Sequence, residues 1–323
     1  MKSMVDHANT HNNPRVIADG PLPCSVTQSL ADRVTWVPWD SAYSSERVNV
    51  DAVYTYGHPP VDADFLSRLV GVRVISNFGV GVDHIDLGEA KRLAIPVGNT
   101  PGLVDGATAD MGFTLMLAAA RLLIVGDRHA RSDAFTHYDP SYMIGREVYG
   151  QKIGIVGMGR IGLQVALRAQ GFAMQVFYHN RRERSDLPPS LPATYLPLDQ
   201  LLSQCDFVML CVPLRDETRK LIGSRELALM KSTAILINIA RGGVVDTEAL
   251  TETMINRRIF AAGLDVTDPE PLPRDHPLLR CDNVVIAPHL GSATEQTRQA
   301  MAQASIENLL RGLAGQPLLF EAR

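Results

Sequence analysis

The sequence predicts an α/β protein built from two parallel-sheet domains, and three observations predict it. Short apolar runs alternate with helix-like stretches from residue 15 onward, and such alternation builds a parallel sheet covered on both faces. The alternation starts afresh at Lys152-Ile153-Gly154-Ile155-Val156, directly ahead of a glycine-rich turn. A long apolar stretch, Met111 to Val125, lies between the two series.

In the first series, strands are expected at Arg15-Val16-Ile17, Asp51 to Tyr56, Val72 to Ser76 and Pro96-Val97-Gly98. One long helix from about Ala107 to Ser132 then leads to the second series. Its apolar part is broken by Arg121 and falls short of the roughly 20 residues a bilayer demands, so it reads as a buried core or interface helix. The second series places a helix at Arg160 to Ala169, then strands at Gln175 to Tyr178, Asp206 to Val212, Ala234 to Ile239, Ala261 to Asp265 and Val284 to Ala287. Thr247 to Arg257 is helical between them. From about Thr294 the chain is helical again and is expected to return to the first unit.

Bulk properties narrow the function. A chain of 323 residues that is 46% hydrophobic can fill two cores. The net charge of -4 and pI near 6.1, with no basic block and no zinc-finger spacing, argue against a nucleic-acid partner. Cys24, Cys205, Cys211 and Cys281 form no CxxC pair. In a chain this long they read as free thiols in a reducing compartment. The polar tail from Met1 to Pro14 has no apolar core of a signal peptide. A cytoplasmic protein with no membrane partner and no metal site is the expectation.

Gly157-Met158-Gly159-Arg160-Ile161-Gly162 follows a buried strand and opens a helix. In that context the first glycine makes the tight turn, the second admits a pyrophosphate to the backbone, and the third lets helix and strand pack closely. The helix start offers free N–H groups and partial positive charge. This predicts a dinucleotide site in a Rossmann-like domain, with both domains Rossmann-like or flavodoxin-like. Residues 105–294 then form the dinucleotide-binding domain. Residues 1–104 with 295–323 form a discontinuous substrate-binding domain, with the active site in the cleft between them.

The next strand should end in Asp or Glu about 20 residues on if the ribose 2′-hydroxyl of NAD is to be held. It ends instead in Tyr178-His179-Asn180-Arg181-Arg182. An acid would repel a 2′-phosphate, and guanidinium groups pair with one. NADP(H) is therefore the preferred cofactor, with Arg181 and Arg182 on the phosphate and His179 and Asn180 beside them. The other reading is an exposed basic loop, with Glu183 or an uncharged group serving NAD(H).

Three polar residues follow three predicted strands: Arg241, Glu270 and His289. Ligand sites of open α/β sheets lie beyond the carboxyl ends of the strands, so all three fall at the edge that carries the glycine loop. Their chemistry is complementary for reducing a 2-oxo acid. Arginine forks onto a carboxylate, a charge-assisted contact of about 1.5–3 kcal/mol. Histidine transfers a proton near neutral pH. A carboxylate beside it orients the ring and favours its charged form. Taken one at a time, each also reads as an ordinary ion pair, a solvated proline-rich turn or a loop histidine.

At these residues the sequence resembles the D-isomer-specific 2-hydroxyacid dehydrogenases. The matching stretches are Asn77 to Asp86, Gly154 to Gly162, Ile237 to Gly243, Gly263 to Val266 and Pro288 to Thr294. The run Gly263 to Pro273, followed by His276-Pro277-Leu278-Leu279, is most similar to the glyoxylate/hydroxypyruvate reductase branch. The resemblance implies that Arg241 binds substrate, His289 is the general acid/base and Glu270 its partner. It implies that backbone N–H groups at Val80 and Gly81 hold the substrate carboxylate. Asp265 would contact the nicotinamide amide. Thr108, Val212, Pro213, Ile239, Ala240 and Gly291 would line the cofactor site. A homodimer is implied, with the long connecting helix exchanged between subunits.

Two departures matter. The acid after the second strand is absent, as in members that use NADPH. The segment Phe135 to Met143 carries Tyr138 and Tyr142 where that branch has tryptophan, and this segment shapes the substrate pocket. Other 2-oxo acids, such as 2-ketogluconate or phenylpyruvate, stay open as substrates. Formate dehydrogenases pair the histidine with glutamine, against Glu270, whereas phosphite dehydrogenase keeps a similar trio. A dinucleotide-sensing corepressor module of the same fold also keeps the trio, and is disfavoured by the short tails.

Overall fold

The computed structural model describes residues 13–322, so most of the polar N-terminal tail lies outside the described residues. The chain divides into two compact units. One takes the chain up to Leu103 together with Glu295 onward, and the other is Val104–Thr294.

The first unit is a five-stranded parallel sheet in the order Thr35–Pro38, Arg15–Ala18, Ala52–Thr55, Val74–Asn77, Val97–Gly98. With the small pair Val48–Asn49 and Leu69–Val70 set aside, this is the flavodoxin-like order 2-1-3-4-5. Ala52–Thr55 and Val74–Asn77 are buried at every position, as strands covered on both faces must be. One cover is the helix Glu295–Leu313. A methyl group on its Gly312 would collide with the Val74 side chain. Ser305 of the same helix pairs with the Tyr54 hydroxyl at 2.8 Å, and its carbonyl accepts from the Ser76 hydroxyl at 2.7 Å.

The second unit holds seven parallel strands in the order Ala193–Tyr195, Gln175–His179, Lys152–Val156, Phe207–Leu210, Ile235–Asn238, Ala261–Leu264, Val284–Ile286. Counted along the chain this is 3-2-1-4-5-6-7. The order reverses between Lys152–Val156 and Phe207–Leu210, and that switch point is where such sheets bind ligands. The edge strands Thr35–Pro38 and Ala193–Tyr195 were not legible in the sequence. Each is short and partly exposed, so neither shows a sustained apolar run.

The long helix expected from Ala107 to Ser132 is two helices, Asp105–Ala120 and Leu123–Ala130, bent by 60°. The reason lies outside the helix. The carbonyl of Ala120 accepts the N–H of Arg146 at 2.8 Å instead of continuing the helical ladder, and Leu122 turns to a left-handed φ of 51°. The first helix is buried against Ile235–Asn238, Ala261–Leu264 and Arg160–Gly171. A methyl on Gly112 would lie 2.8 Å from Met209 Sδ, and one on Gly263 3.0 Å from Leu115 Cβ, so small residues set that close packing. The second helix has no buried residue. Among the described residues no single helix is long and apolar enough to cross a membrane. All four cysteines are free thiols.

Candidate active site

The glycine loop lies at the switch point, and each of its glycines meets a different constraint. Gly157 has a φ of 100°, and a methyl there would lie 2.8 Å from the backbone of Cys211 and Val212. Gly162 faces the Gly157 carbonyl so closely that a side chain would overlap it. Gly159 faces open space, with no protein atom within 4 Å of a built methyl. No side chain caps the helix Arg160–Gly171 that follows, so its first N–H groups are available to an anion. The donor set thus fits a dinucleotide pyrophosphate. Arg160 spends its side chain on Asp105 at 2.8 Å, leaving its backbone for such a ligand, and Ile161 is half-buried beside it.

Beyond the second strand, His179 points Nδ1 at the Leu196 carbonyl, 3.0 Å away. Asn180 Oδ1 accepts the Met158 N–H at 2.8 Å. Arg181 and Arg182 are exposed and make no hydrogen bond or ion pair among the described residues. Val212 packs against Gly157, with Pro213 exposed next to it.

The strand Ile235–Asn238 delivers Arg241 through a turn that Asn238 fixes from both sides. Its amide accepts from Ala240 N at 3.0 Å and donates to the Arg241 carbonyl at 2.9 Å. Asn238 is 1% exposed, so this polar side chain in an apolar strand is there for its hydrogen bonds. Ile239 and Ala240 are buried. Gly242 lies so close to the Thr267–Asp268 backbone that any side chain would overlap it. The loop that carries Arg241 therefore packs directly under the segment that carries Glu270.

Glu270 and His289 meet, with Oε1 and Nδ1 2.8 Å apart. The carboxylate oxygen accepts the hydrogen bond of Nδ1–H. His289 stands at a φ of 56°, and Asp265 holds it there. The Asp265 carbonyl accepts the His289 N–H at 2.8 Å, and its carboxylate accepts Leu290 N at 2.7 Å and Gly291 N at 2.8 Å. Burial pushes the Asp265 carboxyl above its usual range, against those two N–H groups, which pull it down. A methyl on Gly291 would sit 3.5 Å from Thr108 Oγ1. Thr108, Asp265 and Gly291 are thus neighbours.

In the first unit, Val80 and Gly81 lie on a loop whose carbonyls are tied back to the scaffold. Thr100 Oγ1 donates to the Phe78 carbonyl, Asn77 Nδ2 to those of Gly79 and Gly81, and Asn99 Nδ2 to that of Val80, all at 2.9–3.0 Å. In a trans peptide the N–H points opposite to its carbonyl, so the N–H groups of Val80 and Gly81 face away from the scaffold. Successive outward N–H groups form an anion-binding nest. Asn77, Asn99 and Asn238 were missed in the sequence, although an Asn ending an apolar strand was a usable signal.

The sequence profile described as "D-isomer specific 2-hydroxyacid dehydrogenase, NAD binding domain" matches residues 113–291. The chain belongs to the D-isomer specific 2-hydroxyacid dehydrogenase family. A glyoxylate reductase of Korarchaeum cryptofilum is 41% identical over 305 residues, covering 92% of each chain. A glyoxylate reductase of Thermococcus onnurineus is 40% identical over 308 residues, again covering 92% of each. Among solved structures, the NADPH-dependent glyoxylate/hydroxypyruvate reductase of Sinorhizobium meliloti, in complex with NADP and malonate, superposes with a TM-score of 0.88. It is 28% identical and is matched over 96% of this chain and 97% of its own. This 2-hydroxyacid dehydrogenase is thus an NAD(P)-dependent enzyme whose second unit is the dinucleotide-binding one. Among the described residues of the dehydrogenase, no group of three or more His, Cys, Asp or Glu side chains is placed to hold a metal ion.

Proposed function

We propose that the enzyme reduces glyoxylate or hydroxypyruvate to the 2-hydroxy acid, with NADPH preferred over NADH. The observation that carries this reading is the His289–Glu270 pair at 2.8 Å, at the sheet edge that also bears the glycine loop. The activities of the relatives, glyoxylate and glyoxylate/hydroxypyruvate reduction, support the substrate class. A dinucleotide held by the glycine loop would supply the hydride.

Arg241 receives the substrate carboxylate on its planar fork. The outward N–H groups of Val80 and Gly81 suit an anionic oxygen in the same way. His289 gives its Nε2 proton to the carbonyl oxygen as that oxygen gains charge, while Glu270 holds the opposite ring nitrogen. Arg241 and the imidazolium together stabilise the developing oxyanion. Arg181 and Arg182, exposed and without a hydrogen bond or ion pair among the described residues, are the ligands of a ribose 2′-phosphate. Leu123–Ala130, with no buried residue, and the exposed Phe135 and Tyr142, both against His129 of that helix, form a surface suited to a second copy of the chain.

The test is oxidation of NADPH and NADH against glyoxylate, hydroxypyruvate, pyruvate, phenylpyruvate and 2-ketogluconate. The expected result is strong NADPH-linked turnover of the two small acids. Equal kcat/KM for the two coenzymes would remove the NADPH preference. Preferred turnover of a bulky acid would remove the substrate assignment. His289→Ala should lower kcat by a factor on the order of 10²–10⁴, the usual share of general acid catalysis, and keep dinucleotide binding.

A further inference from the structure

The glycine loop and the arginine loop that follows the second strand, Arg181-Arg182, are joined by a residue that belongs to neither motif. Arg184 Nη1 donates to the Met158 carbonyl at 2.9 Å. Its Nε and Nη2 grip Asp186 at 2.8 and 2.7 Å. Its main-chain N–H donates to the hydroxyl of the buried Tyr178 at 3.0 Å. Asn180 Oδ1 meanwhile accepts the Met158 N–H. Both polar groups of Met158, which stands between the first two motif glycines, are therefore held by residues 180 and 184.

Three arginines in one short segment are thus not equivalent. Arg184 is mostly covered, and its guanidinium is committed on both sides. Its hydrogen bonds hold the Asp186 carboxyl below the usual carboxylate range, so the pair stays ionised and its charges cancel at a distance. Arg181 and Arg182 are exposed, with no such commitment among the described residues.

We propose that Arg184, held by Asp186, is a positioning residue that sets the glycine loop against the arginine loop and so fixes the spacing between the pyrophosphate and ribose-phosphate positions. This rests on the reading of Arg181 and Arg182 as 2′-phosphate ligands. Every dinucleotide uses the glycine loop, so loosening the brace weakens both coenzymes. NADPH engages both loops at once and loses more, because prearranged donors bind without a further ordering cost. An Arg184 that itself bound the phosphate would affect NADPH alone.

The experiment titrates NADPH and NADH into the full-length enzyme without a 2-oxo acid, by calorimetry, for Arg184→Ala, Arg184→Lys, Asp186→Asn and the double variant Arg184→Ala/Asp186→Asn. Thermal midpoints are read alongside. Arg184→Ala and Asp186→Asn should each raise the Kd of NADPH about tenfold, the size of one hydrogen bond to a charged group, and that of NADH by less. The double variant should be no weaker than the worse single one, as expected for two parts of one device. Lysine should not restore binding, since it has no fork to span Asp186 and Met158 together. If Arg184→Ala fails to fold, Arg184→Lys and Asp186→Asn give the same readout. An unchanged NADH Kd in every variant, or tighter NADPH binding in Asp186→Asn, would overturn the proposal. Arg181→Ala separates the underlying reading. If it leaves NADPH affinity intact, the phosphate assignment falls, whereas a raised NADH Kd in the Arg184 variants still supports the brace.

Discussion

Asp265 holds His289 through the main chain. One aspartate accepts the N–H of the histidine on its carbonyl and those of the next two residues on its carboxylate. An amide at position 265 has one acceptor and would turn an N–H donor toward Leu290 or Gly291. Asp265→Asn should therefore release one of these three bonds and misplace the imidazole, lowering kcat by about a hundredfold, the scale of an ångström-sized displacement. Steady-state kinetics with a thermal melt check this, and an unchanged kcat would show that the loop does not depend on the carboxylate.

Asn77 is the corresponding support in the first unit. It holds two carbonyls of the Val80–Gly81 loop and accepts from Thr55 at 2.8 Å. Asn77→Ala frees those carbonyls to rotate and scrambles the outward N–H groups. The KM for the 2-oxo acid should rise by about tenfold, the equivalent of one hydrogen bond to an anion, while the Kd for the dinucleotide stays put. Equal losses in both would point to a general loosening.

Two alanine substitutions in one motif should behave oppositely. Gly162→Ala places a methyl on the Gly157 carbonyl, so the protein itself should melt at a lower temperature. Gly159→Ala meets nothing in the protein, so its melting temperature should hold while dinucleotide affinity falls. Melting curves and binding titrations on the two variants decide it. Intact affinity in Gly159→Ala would show that no ligand approaches there.

Asp246 caps the helix Thr247–Ile255 by accepting from Glu248 and Ala249, and pairs with Lys220 at 3.0 Å. That lysine, then the Ala249 N–H, holds its carboxyl below the usual range. A depressed folded value adds stability above the unfolded carboxyl range, and that stability is lost as pH falls through the folded value. Asp246→Ala should cost about 1 kcal/mol at neutral pH. The gap to the wild type should close in acid, as denaturant curves at several pH values would show.

Much of this was legible in the sequence because it is written locally. Gly157 to Gly162 and the apolar runs before them fix a strand, a turn and a helix within a dozen residues. Arg241, Glu270 and His289 each follow such a run. The features that escaped are settled by distant partners. The helix break at Arg121 depends on Arg146 capturing the Ala120 carbonyl. Asn77, Asn99 and Asn238 look like polar interruptions until the carbonyls they hold are known. Arg184 looks like one basic residue among several until its partner, Met158, is seen 26 positions earlier.

The first sheet carries a consequence for how the molecule is made. Its central strands are covered by Glu295–Leu313, and the N–H of Ala322 bonds back to Val97. During synthesis, one face of those strands stays uncovered until Glu295–Leu313 has been added. The stretch from Val104 to Thr294 contains its whole sheet and can close on itself sooner. The unit begun first is finished last, so ribosome-stalled chains ending before residue 295 should show protease-resistant structure in the later segment and not in the earlier one.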